Sequence, residues 1–173
     1  MKRDFKWIFT ITLLAFLITI LFTLGSQSIL KDVNIVVGII IILVFILLGV
    51  LFDIVGVAVQ SSEEQSFHAM ASKKVKGAKT ANKMLQNSDK VSSFCNDVIG
   101  DICGIVSGSA GLVVAIEISN KLGCSETIVT LLTTSIIAAL TIGGKALGKG
   151  FAVNESEYIV SNVTKFLNIF DKK

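Results

Sequence analysis

Length and composition exclude a soluble domain of the ordinary kind. The chain has 173 residues, of which 52% are hydrophobic and only 17% charged, whereas an average soluble domain carries about 25% charged residues. The net charge of +3 is too small to indicate nucleic-acid binding. The three cysteines give no disulfide framework. The sequence therefore predicts an integral membrane protein.

Four apolar segments are long enough to cross a hydrocarbon core of about 30 Å as helices. They run from 7 to 24, from 35 to about 59, from about 91 to 118 and from 127 to about 147. The first follows a basic start but is longer than the core of a signal peptide, and no small-residue cleavage site comes after it. We therefore expect it to be a retained transmembrane helix.

The polar loop between the second and third spans is rich in lysine. Its charged residues are Lys73, Lys74, Lys76, Lys79, Lys83 and Lys90 against Glu63, Glu64 and Asp89. By the positive-inside rule this loop and the N-terminus are both cytoplasmic, and a fourth span returns the C-terminus to the same side. We therefore predict a multi-pass protein of the cell membrane with both termini in the cytoplasm.

Helical spacing continues outside the four spans. In the loop, apolar residues recur at steps of three and four on both sides of a break near Gly77, which indicates a helix-turn-helix. They are Phe67, Met70, Ala71, Ala78, Ala81, Met84 and Leu85. The tail has Ile159, Val160, Val163, Phe166, Leu167 and Phe170 on one face, which is typical of an amphipathic helix on the inner membrane surface. The predicted fold is all-α: a polytopic bundle of four transmembrane helices with these two additions.

Ionisable residues inside the spans are costly, and each needs an explanation. They are Asp53, Asp97, Asp101, Glu117 and Lys145. Gly49, Asp53, Gly56 and Gln60 share one face of the second helix, and Ser93, Asp97, Asp101, Gly104, Gly108 and Gly111 share one face of the third. Stripes of small residues are where transmembrane helices pack closest. We therefore expect Gly104 and Gly108 to line a close helix contact and the carboxylates to face protein.

By position, Asp53, Asp97, Asp101 and Lys145 could meet in one layer near the cytoplasmic side. Carboxylates with the nearby oxygens of Asn96, Ser93 and Ser107 suit a hard cation such as Mg²⁺. The alternative is that Asp97 or Asp101 pairs with Lys145 and the charges neutralise one another. No organic cofactor is indicated, and Gly143–Lys149 lacks the order of a phosphate loop. With one histidine, His68, and no visible catalytic set, we do not expect an enzyme.

Five short motifs follow one another in a fixed order: Phe52–Ala58, Lys76-Gly77-Ala78-Lys79, Asn87–Val91, Ile99-Gly100-Asp101 and Gly144–Lys149. In these motifs the sequence resembles the transmembrane domain of the CNNM/CorC (CorB) family of Mg²⁺ and Co²⁺ transporters. The resemblance covers about 35–173 as one domain, with 1–34 as an extra N-terminal helix and loop. It implies a homodimer, an amphipathic belt helix in the tail and a divalent-cation site, here without the family's CBS domains.

The chain departs from the family pattern where the ion is held. Asp53 or Val55 stands in place of a serine, Asp101 in place of an asparagine and Lys145 in place of a glutamate. Two functions follow. The first is a divalent-cation transporter that uses Asp53, Asp97 and Asp101. The second is a non-transporting membrane scaffold or regulatory subunit in which Lys145 replaces the cation.

The predicted topology can be checked by cysteine accessibility in intact cells. Ser88→Cys should be protected from a membrane-impermeant reagent because the lysine-rich loop is cytoplasmic, and Cys124 should react because its loop is external. A reactive Ser88→Cys would overturn the assignment.

Overall fold

The computed structural model describes residues 5–30 and 34–170. The basic residues at positions 2 and 3 lie outside the described residues, as does the side chain of Phe170. The helices are α1 Phe5–Leu30, α2 Ile35–Ser61, α3 Glu64–Ser72, α4 Ala78–Leu85, α5 Ser88–Ser93, α6 Asp101–Leu122, α7 Glu126–Asn154 and α8 Ser156–Phe170, with a π-helical segment over Phe94–Gly100 between α5 and α6. The described part of the chain contains no strand.

The prediction of four helices long and apolar enough to cross a membrane is confirmed for the described residues. They are Phe5–Gly25, Ile35–Ser61, Ser88–Leu122 and Glu126–Asn154. The last of them continues past the predicted end near 147, through Gly148 and Gly150. Ala152 is fully buried in a hydrophobic core, and this packing stabilises the final turns of α7. Lys145 therefore lies well inside α7, and the prediction that it lies in the last turn is wrong.

The chain forms two compact units. The first contains the described residues up to Val50 together with Val98–Gly144. Its core joins α2, α6 and α7 through Ile42, Ile46, Ala110, Val114 and Ile137. Helix α1 packs against α6, and its Phe22 ring meets the Phe45 ring of α2 edge to face, with centroids 5.9 Å apart.

The close glycine contacts of the first unit differ from those that the sequence predicts. A Cβ at Gly49 would lie 3.1 Å from the Cβ of Cys103, and one at Gly111 would collide with Ile137. A Cβ at Gly104 or Gly108 would meet nothing within 4 Å among the described residues. Among the described residues Gly104 and Gly108 thus make no such close approach, and a helix contact at these two glycines stays a prediction.

The second unit contains Leu51–Asp97 and the described residues from Lys145 onward. Its core surrounds Phe67 of α3, which is 1% exposed. The other buried members are Ala58, Val59, Ala81, Leu85, Ala152, Ile159 and Val160. The first half of the apolar face of α8 thus packs against protein, whereas Phe166 and Leu167 near the end of the helix are exposed.

Gly77, directly before α4, packs against the backbone of α8. Its φ of +86° lies in the left-handed region, and a Cβ there would be 3.0 Å from the backbone nitrogen of Lys165 and 3.0 Å from the carbonyl carbon of Thr164. Both the turn and the close backbone approach therefore require glycine. Gly123, after α6, has a similar φ of +64°, but a Cβ there would meet nothing within 4 Å among the described residues.

These two glycines form a matched pair for a stability measurement. Gly123→Ala should cost about 1 kcal/mol, because only the left-handed conformation is penalised. Gly77→Ala should cost about 1–3 kcal/mol more, because the new methyl group also pushes α4 away from α8. Thermal unfolding of both variants in detergent micelles measures the difference. Equal melting temperatures would contradict the packing of Gly77 against α8.

Candidate functional site

Asp53 is the most buried ionisable residue of the predicted site, with 4% of its surface exposed. It lies on α2 in the second unit, and its Oδ1 is 3.7 Å from the Nζ of Lys145 on α7. The side chain of Lys145 is 21% exposed. This distance makes the contact an ion pair, although it is too long for a hydrogen bond. Lys145 thus supplies the positive counter-charge of a buried carboxylate.

Gly56 shapes the face of α2 that carries Asp53. The two residues are three positions apart in an unbroken helix, so they share that face. A Cβ at Gly56 would collide with the side-chain amide of Asn96, whose Oδ1 lies directly against the glycine. The absence of a side chain at Gly56 therefore allows the π-helical segment to bring a polar amide against α2.

A short chain of polar side chains leads away from Asn96. Its Nδ2 donates to the hydroxyl oxygen of Ser92 at 3.3 Å, and the Ser92 hydroxyl donates to Oε1 of Gln60 at 3.4 Å. Ser92 is 5% exposed. These contacts fix the amide of Asn96 so that its nitrogen points toward Ser92 and its oxygen toward α2.

Two buried oxygens of this site have no hydrogen-bond partner among the described residues. They are Oδ2 of Asp53 and Oδ1 of Asn96. Leaving such an acceptor buried and unsatisfied costs about 1–3 kcal/mol. Both atoms are acceptors, so the groups that would satisfy them are a proton donor or a hard cation.

Two of the three predicted carboxylates are not buried. Asp97 and Asp101 are both exposed in the described structure, and no group of three or more His, Cys, Asp or Glu side chains in that part of the chain could hold a metal. The expectation that Asp97 and Asp101 face protein is therefore wrong. The π-helical segment over Phe94–Gly100 is the reason: its hydrogen bonds run from residue i to i+5, so the four-residue steps used to align the stripe do not hold there.

The predicted oxygen ligands are also distributed differently. Asn96 reaches α2, Ser93 is half-buried, and the Ser107 hydroxyl donates to the backbone oxygen of Gly104 at 3.0 Å. Sequence reasoning missed Ser92, which is the serine that bonds Asn96. The separation of four between Ser92 and Asn96 is the signal that could have found it.

Lys145 has an ion pair that the sequence did not predict. The alternative to a cation site was a pair between Lys145 and Asp97 or Asp101, and it did not include the 3.7 Å contact between Lys145 and Asp53. The extension of α7 places Lys145 within the helix, opposite the buried face of α2 and not at an exposed end.

Two other ionisable residues have structural contacts. His68 is exposed, with its Nδ1 3.3 Å from Nδ2 of Asn82. Glu117 accepts a hydrogen bond from Lys121 at 2.9 Å, one turn along α6. These are surface contacts of little energetic weight.

Comparisons with known proteins find no matching family model, no matching curated protein and no matching solved structure. The function must therefore be argued from the Asp53–Lys145 pair and the oxygens around it.

The ion pair can be tested with a double-mutant cycle. Asp53→Asn and Lys145→Met should each lower stability by about 3 kcal/mol or more, because each leaves one buried charge uncompensated. The double variant should be less destabilised than the sum of the two single variants, because no lone charge remains. Thermal unfolding in detergent micelles measures all three.

Asp97→Asn and Lys149→Met are the controls, since both residues are exposed. Each should change the melting temperature little. Additive effects of Asp53→Asn and Lys145→Met would show that the two charges do not interact.

Proposed function

We propose that this chain is a membrane scaffold or regulatory subunit that transports no cation itself. In this proposal the Lys145 ammonium, beside Asp53, takes the place of the divalent cation that the CNNM/CorC resemblance implies. The observation that carries the proposal is the 3.7 Å contact between Lys145 and a carboxylate that is 4% exposed. A resident ammonium competes with any divalent ion for the same oxygen, because two cations at one site repel each other.

The burial pattern supports this choice over a transporter. The transporter hypothesis depends on three acids at one depth, but only Asp53 is buried, whereas Asp97 and Asp101 are exposed. One carboxylate with one ammonium is neutral. A neutral pair has much less attraction for Mg²⁺ than three converging carboxylates would have.

The membrane arrangement is part of the same proposal. Both termini are cytoplasmic, α3 and α4 form the cytoplasmic helix-turn-helix, and α8 lies along the inner surface as a belt helix. The excess of lysines in the Gln60–Lys90 loop supports this orientation. The exposed apolar side chains Phe166 and Leu167 of α8 support its contact with lipid.

We also propose that the chain works as a homodimer. Gly104 and Gly108 have open space beside them, and their G-x-x-x-G spacing suits the close approach of a second helix. A second copy of α6 could approach the chain at these two glycines.

A second candidate, the divalent-cation transporter, is favoured by one observation. Oδ2 of Asp53 and Oδ1 of Asn96 are buried and lack hydrogen-bond partners among the described residues. Both are oxygens of the kind that bind Mg²⁺. In this second candidate the cation binds these two atoms, and Lys145 moves away when it does.

Thermal stability against Mg²⁺ concentration separates the two candidates. Under the scaffold proposal, wild type should not respond, whereas Lys145→Met should be stabilised because Mg²⁺ replaces the lost ammonium. A ligand at 100 times its Kd adds about 2.7 kcal/mol to the folded state. The double variant Asp53→Asn/Lys145→Met should lose this response.

Choline chloride at equal ionic strength is the control for general salt effects. Stabilisation of wild type by Mg²⁺ that Asp53→Asn abolishes would favour the transporter and overturn the scaffold proposal. If neither wild type nor Lys145→Met responds, Lys145 does not stand in for a cation, and the scaffold proposal in this form is also wrong.

A further inference from the structure

A basic pocket lies between the α3–α4 connection and the end of α8, wholly within the second unit. Its volume is about 440 Å³, and its lining includes Lys74, Lys76, Lys79, Ser72 and Asn168. No carboxylate is among its described lining residues. The described lining therefore brings three lysines, a serine and an asparagine to one space that is open to the outside.

The backbone of the connection is shaped so that these lysines share one pocket. Lys74 has a φ of +56° and Gly77 one of +86°, so the chain turns twice within four residues. The first turn is closed by a hydrogen bond from the Val75 N–H to the Met70 oxygen at 3.1 Å. The second turn packs against the backbone of Thr164 and Lys165 on α8. The pocket is therefore built on two helices that are packed together.

The chemistry of the lining selects an anion with several oxygens. Lysine ammonium groups bind phosphate as compact point charges. The amide of Asn168 can donate a further hydrogen bond, whereas the Ser72 hydroxyl already donates to backbone oxygens of α3. A phosphate group accepts the contacts of the lysines and of this amide.

Apolar side chains at and near the pocket indicate that the phosphate belongs to a lipid. Val75, which also lines the pocket between Lys74 and Lys76, is 40% exposed. On α8, Phe166 is 61% exposed and Leu167 42%, just before Asn168. A free phosphate would leave these side chains in water, whereas a phospholipid offers acyl chains beside its headgroup.

The attraction for an anion is confined to one part of the second unit. A second concavity is lined by Glu63, Glu155 and Glu157, and it would repel an anionic headgroup. The same unit contains the final turns of α2 and α7, two of the helices long enough to span a membrane. The basic pocket thus belongs to the same unit as the ends of two candidate membrane helices.

We propose that this pocket binds the headgroup of an anionic phospholipid. The inference rests on the membrane placement in the proposed function, but not on whether the chain transports a cation. Bound lipid would join the α3–α4 turn and α8 to the membrane surface by charge and apolar contact together.

The test uses the full chain in neutral detergent micelles, where the melting temperature is followed as lipid is added. Dioleoyl phosphatidylglycerol should raise it, and dioleoyl phosphatidylcholine, which has the same acyl chains and no net charge, should not. Inorganic phosphate is the third arm. Two triple variants are compared: Lys74, Lys76 and Lys79 all changed to Gln, and Lys73, Lys83 and Lys90 all changed to Gln.

The two triple variants lose the same charge from the same loop, but only the first removes the pocket lysines. Removal of the pocket lysines should weaken the apparent affinity for phosphatidylglycerol about fivefold per lysine, or roughly 100-fold in all. The control triple should keep an affinity within a fewfold of wild type. The single variant Lys76→Gln, with an intermediate loss, checks the result should a triple variant be poorly folded.

Three outcomes would overturn the proposal. The first is no response of wild type to phosphatidylglycerol, and the second is an equal loss in both triple variants, which indicates diffuse electrostatics. The third is the same response to inorganic phosphate at equal concentration, which indicates a free anion as the ligand. Because micelles have no sides and no Mg²⁺ is added, failure here is distinct from failure of the topology or of the scaffold proposal.

Discussion

The negative charge of a carboxylate buried in an apolar helix must be compensated. In the second unit this requirement applies to Asp53. An isolated charge there would cost several kcal/mol even after relaxation. The compensation comes from Lys145, 3.7 Å away on α7. Helix α7 remains helical beyond Lys145, and the packing of Ala152 in the core of this unit supports that extension.

The pair leaves part of its polar surface unsatisfied. The second oxygen of Asp53 and the amide oxygen of Asn96 have no partner among the described residues, while Ser92 and Gln60 hold the other side of the amide. If every polar group of the site had a partner, the site would contribute only packing. Buried acceptors without donors are instead positions where a cation or a proton could bind. The proposed function treats Lys145 as the permanent counter-charge. The transporter alternative requires that it be displaced.

Some glycines determine how closely the helices approach one another, and others do not. Gly56 admits an amide side chain to α2, and Gly77 brings the α3–α4 turn onto the backbone of α8. The turn at Gly77 also separates Lys76 from Lys79 along a basic pocket. In the same unit, Glu63, Glu155 and Glu157 line an acidic concavity. A small helical unit thus presents two surfaces of opposite charge, and the basic one suits an anionic membrane surface.

The sequence by itself determined the membrane character, the four apolar helices and the residues that could carry charge within them, because hydrophobic length and the cost of buried charge are local properties. It also placed Asp53, Gly56 and Gln60 on one face, since α2 is an uninterrupted helix. Only the tertiary structure decided which carboxylate is buried and that Asp53 lies beside Lys145. A π-helical segment changes the spacing just before Asp101, and the length of α7 depends on a core formed by other helices. Neither effect leaves a signal in the periodicity of the segment that it alters, because each depends on contacts with residues distant in sequence.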